Sequence, residues 1–214
     1  MLPGGGGPSG NARLTAWTGA VLLVLFLVEL VTLLNLDSLL SWHIVVGVLL
    51  VPPALLKTAS TGWRILGYYT GRRPYRQAGP PPMLLRLLGP LVVATTLAVL
   101  GSGLALIALG PTASRAASLT VLGYAVSTLT IHKATFVLWM VVTGLHTLAR
   151  LVPAWRILRA GRVPGGRSRS VLLIGTLVMA GIAAAVLLGP ASPWLTTTDL
   201  HHGHHRPVPG VPAN

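Results

Sequence analysis

Apolar residues in this chain fall in five long runs, separated by short polar or basic stretches. They cover roughly residues 14–36, 42–63, 84–109, 128–151 and 170–188. At ~1.5 Å rise per residue, each run is long enough as a helix to cross a hydrocarbon core of ~30 Å. A helix that is apolar all round lies in a core or in lipid. The pattern predicts an all-α integral membrane protein, a bundle of five transmembrane helices. Residues 1–13 read as a flexible Gly/Pro-rich tail, 14–190 as the membrane domain and 191–214 as a flexible His/Pro-rich tail.

The connections add detail. Residues 118–127 are apolar but too short to span, so they are expected at the interface or as an extension of the fourth helix. Residues 62–82 are expected to form an ordered connection, with Tyr68, Tyr69 and Tyr75 at headgroup level. Pro52 and Pro53 should kink the second helix. No internal repeat is visible.

Basic residues set an orientation. Arg13, the loop after the second run (Arg64, Arg72, Arg73, Arg76, Arg86) and the loop after the fourth (Arg150, Arg156, Arg159, Arg162, Arg167, Arg169) share one side. Arg115, Lys133 and Arg206 fall on the other. The positive-inside rule then places the N-terminus in the cytoplasm and the C-terminus outside, in the inner (plasma) membrane of a bacterium. The same bias accounts for most of the net charge of +13 without a nucleic-acid partner, because the arginines flank apolar runs. Charged residues are 9% of the chain against 52% hydrophobic, far below the quarter usual for soluble domains. Cysteine is absent, which excludes disulfides, iron–sulfur ligation, c-type haem attachment and thiol catalysis by this chain.

With so few charges, ionisable groups inside the runs are functional candidates. His132 and His146 lie fourteen residues apart on the fourth run. That is about 21 Å of rise and four turns less ~40°, so both rings leave one face, one near each side of the bilayer. His43 opens the second run, at the same expected depth as His132. Two such rings suit the axial positions of one b-type haem; a hydrogen bond to a neighbouring helix is the plainer alternative for each. Gly47, Gly101, Gly103 and Gly144 would let a flat macrocycle, or simply another helix, approach the backbone. Lys57 lies fourteen residues after His43 and either pairs with a propionate or a quinone, or snorkels to the interface. Glu29 in the first run either relays a proton at a quinone site, hydrogen-bonds a histidine ligand, or bonds a neighbouring helix. In the tail, His201, His202, His204 and His205, with Asp199, form at most a weak metal site.

These features resemble the membrane cytochrome b subunits of formate dehydrogenases and nickel–iron hydrogenases, in the cytochrome b561-like group. The resemblance covers roughly residues 14–155 and rests on His43, His132, His146 and the topology. It implies an outer haem b with His43 and His132 as ligands. An inner haem in that family pairs the second fourth-helix histidine with one on the first helix. Here the equivalent stretch LTAWTGAVLLVL holds none, with Ala16 beside Trp17. His146 would then need another ligand, Lys57 being the nearest substitute, or border a quinone pocket. The implied function is electron transfer between the quinone pool and an extracytoplasmic redox partner, by analogy a molybdopterin oxidoreductase. A haem-free membrane anchor or assembly subunit and a small transporter are the alternatives.

Overall fold

The computed structural model describes residues 7–77, 79, 83–121, 123–159 and 165–202. Its elements are α1 (Gly7–Thr32), α2 (Leu36–Tyr69), α3 (Arg73–Gln77), α4 (Met83–Arg115), β1 (Ala117–Val121), β2 (Tyr124–Ser127), α5 (Thr128–Arg159) and α6 (Gly166–His202). Among the described residues, four helical runs are long and apolar enough to cross a membrane: Gly7–Tyr69, Arg86–Arg115, Thr128–Arg159 and Gly166–Thr196. The first contains both α1 and α2, joined by one 3₁₀ turn at Leu33–Asn35. Asn35 leaves helical geometry at φ −147° and ψ 74°, and its side-chain oxygen accepts from Ser38 N at 3.4 Å. This N-cap restarts the helix in the opposite direction.

Side-chain contacts fix the directions. Along α1 and α2, Glu29 meets His43, and Thr15 Oγ1 lies 2.9 Å from Ser60 Oγ, so the two are antiparallel. Along α4 and α5, Ser102 meets His132 and Thr96 meets Trp139, again antiparallel. Trp194 of α6 reaches Leu106 of α4, close to the same end of both helices, so these run parallel. His43 and His132, each near the start of its helix, face each other, so α2 and α5 are parallel and the five long helices described alternate in direction. Val48, Ile107, Ala184 and Ala191 form a core among α2, α4 and α6, where alanines let the backbones approach closely. On the outside of α6, Ile174, Val178, Ile182 and Val186 form an exposed stripe at four-residue spacing. Such apolar exposure suits lipid, not water.

Several boundaries differ from the sequence expectations. Helix starts at Gly7, inside the expected N-terminal tail. The second helix continues to Tyr69 and runs unbroken through Pro52 and Pro53. Residues 118–121 and 124–127 are not helical: they belong to β1 and β2, which pair antiparallel, with Gly123 between them at φ +84°. α6 carries on through Pro190 and Pro193 to His202, so residues 191–202 are helical where a flexible tail was expected. Prolines are tolerated in such helices because neighbours take up the freed backbone groups.

The reach of α6 has a local cause. Gly110 on α4 sits at φ +73°, ψ 173°, which breaks the helix ahead of Pro111. One turn ahead of it, the Leu106 carbonyl accepts from Trp194 Nε1 at 2.9 Å. Arg115 lies over the Trp194 ring at 5.5 Å. The last turns of α6 therefore close the break in α4.

Candidate functional site

A cavity of about 1830 Å³ lies between the helices, larger than the ~300–1,000 Å³ of a usual small-molecule pocket. His43 and His132 line one end of it. Lys57, His146 and Arg150 line the other. Between them, Phe26 and Trp139 meet edge to face at 4.6 Å, and the Trp139 indole donates to Thr96 Oγ1 at 2.9 Å.

At the first end, the rings of His43 and His132 have centres 6.4 Å apart and planes inclined by 76°. Each is held through Nδ1. His43 Nδ1 lies 2.9 Å from Glu29 Oε1 and 3.3 Å from Thr32 Oγ1. The Thr32 hydroxyl already donates to the Glu29 carbonyl oxygen at 2.6 Å. It therefore accepts from His43, as the carboxylate does. His132 Nδ1 lies 3.0 Å from Ser102 Oγ, whose own proton goes to the Val99 carbonyl at 3.0 Å. So His132 Nδ1 is also a donor. Both rings are fixed with the proton on Nδ1, which leaves the lone pair on Nε2. The contacts named here all use Nδ1.

The spacing can be tested against metal chemistry. Imidazole–metal bonds are about 2 Å and a ring nitrogen is about 1.1 Å from its ring centre, so two rings on opposite sides of one ion have centres roughly 6 Å apart. The observed 6.4 Å fits. Among the described residues no three His, Cys, Asp or Glu side chains gather as a bare ion requires. Two imidazoles beside a large cavity suit an ion that brings four ligands of its own in a macrocycle. Gly47 and Gly103 line the cavity, and a methyl on Gly103 would sit 3.3 Å from His132 Cε1. Gly101 and Gly144 are not among its lining residues.

The second end differs. His146 Nδ1 and Thr143 Oγ1 are buried without a hydrogen-bond partner. Among the described residues, no group holds His146 Nδ1 as Ser102 holds that of His132, and no second histidine ring contacts it. Lys57 and Arg150 are its electrostatic neighbours. Lys57 reaches across to α1: its Nζ would lie 2.9 Å from a methyl on Gly19, one turn along from the Thr15–Ser60 contact. Glu29 belongs to the histidine end, where its second oxygen, Oε2, is buried and unpartnered. In the tail, His201 and His202 end α6, and His204 and His205 lie outside the described residues.

The sequence reading singled out Glu29, His43, His132 and Gly103, which come together here. It missed Thr32 and Ser102, which orient the two rings. A signal existed for each: Thr32 is the polar residue one turn after Glu29, and Ser102 stands between Gly101 and Gly103. No family model, curated protein or solved structure matches the chain.

Proposed function

We propose that the chain is a membrane-embedded b-type cytochrome that passes electrons between the quinone pool and an extracytoplasmic redox partner. The observation that carries this reading is the histidine pair, with ring centres 6.4 Å apart and both Nδ1 atoms engaged. His43 and His132 would hold one haem b through Nε2. Bound there, the haem supplies one-electron redox chemistry at a potential tuned by ligation, burial and nearby hydrogen bonds. Glu29, Thr32 and Ser102 orient the ligands, and the apolar walls keep water away. Only one haem is assigned, because His146 lacks a partner ring.

The alternating helices support five crossings, and the arginine bias supports a cytoplasmic N-terminus and an inner-membrane location. The pair then lies near the outer face, where a partner of the molybdopterin oxidoreductase kind would dock. By analogy with the cytochrome b subunits it resembles, the chain is an electron-carrying subunit without substrate chemistry of its own.

The test is a reduced-minus-oxidised spectrum of protein expressed with ample haem, with a pyridine haemochrome count. One low-spin b haem per chain is expected, lost in His43→Ala and His132→Ala and kept in His146→Ala. A colourless protein under those conditions overturns the reading and favours a haem-free anchor.

A further inference from the structure

Among the described residues, the basic end of the cavity shows no acidic partner. Lys57, Arg64 and Arg150 all line it. Lys57 and Arg150 act on each other electrostatically, as do Arg150 and Arg64. The acidic residues of the chain are Glu29, Asp37 and Asp199. Glu29 is bonded to His43, and Asp37 is in the first turn of α2, both at the histidine end. Like charges around one low-dielectric space repel strongly unless a counterion joins them. A positive-inside bias accounts for arginines in loops, but not for a lysine amine held against Gly19 between two helices.

The surroundings indicate the kind of anion. Ile65, Leu151 and Trp155 line the cavity and keep about half of their surface exposed, so the walls at this end are apolar and open. Tyr68, Tyr69 and Tyr75 line it as well, and tyrosines favour headgroup depth. Basic pockets between membrane helices suit phosphate headgroups. We propose that this end binds the phosphate of an anionic phospholipid between Lys57, Arg64 and Arg150, with its acyl chains along the apolar walls. The proposal does not rest on the haem at the other end.

The test mixes full-length protein in a neutral detergent with dioleoyl phosphatidylglycerol or dioleoyl phosphatidylcholine. Retained lipid is counted by native mass spectrometry. Each basic group near an anionic lipid is worth about a factor of five, so the phosphatidylglycerol preference should exceed about tenfold. Lys57→Met and Arg150→Gln should each reduce it severalfold, and together nearly abolish it. Either single variant suffices if the other fails to fold. Arg156→Gln, on the same helix but outside the cavity, should keep the preference. Equal retention of both lipids overturns the proposal, as does a preference that survives in the double variant. Displacement by excess inorganic phosphate would assign the site to a soluble anion and overturn the lipid assignment.

Discussion

His43 Nδ1 and Glu29 Oε1 lie 2.9 Å apart, joining α2 to α1 at a ring that lines the cavity. A carboxylate on the far nitrogen raises the basicity of an imidazole ligand. It would favour the oxidised state of a haem held there and lower its potential. Glu29→Gln keeps a hydrogen-bond acceptor but removes the charge. The midpoint potential should rise by several tens of millivolts, where about 59 mV is tenfold for a one-electron couple. Spectroelectrochemical titration measures this. An unchanged potential would mean that the carboxyl carries no charge beside the ring.

Ser102→Ala removes the acceptor that holds His132 Nδ1 at 3.0 Å. Loss of such an outer partner commonly costs about 10–100-fold in metal affinity. Haem titration of the apo-protein should show weakening of that order. Ser102→Thr, which keeps the hydroxyl, should restore most of it. Equal affinity in wild type and Ser102→Ala would show that packing alone orients the ring.

The two neighbouring glycines make opposite predictions. Gly103→Ala places a methyl 3.3 Å from His132 Cε1, so the ring must give by a few tenths of an ångström. Gly101→Ala meets nothing within 4 Å. The first change should weaken haem binding and alter the low-spin signal in electron paramagnetic resonance, and the second should leave both as they are. Matching behaviour of the two variants would remove Gly103 from the site.

The depth of His43 against His132 was legible because long apolar runs fix where each helix starts. Their rotation was not. A helix apolar all round carries no stripe to say which face meets a neighbour, so Thr32 and Ser102 escaped as partners. The hairpin at β1 and β2 escaped for a related reason, since four or five apolar residues do not separate strand from helix by period. The continuation of α6 escaped because prolines normally end a helix in water, while here packing against α4 sustains it. The grouping of Lys57 with Arg150 needed the fold, because Arg150 reads as a loop residue until α5 is seen to run to Arg159.

Trp194 gives the test of that last stretch of α6. Its indole donates to the Leu106 carbonyl at 2.9 Å, one turn ahead of the break at Gly110. Ser114 Oγ lies 3.5 Å from the same carbonyl, the limit of a useful bond. Trp194 is buried, so Trp194→Phe loses this hydrogen bond and should destabilise the protein by about 0.5–1.5 kcal/mol. Trp42→Phe, at an exposed ring, should change stability by less than about 0.5 kcal/mol. Reversible unfolding in mixed micelles, followed by circular dichroism, compares the two. If Trp194→Phe proves as neutral as Trp42→Phe, the Leu106 carbonyl is satisfied by another route and α6 does not hold the α4 break closed.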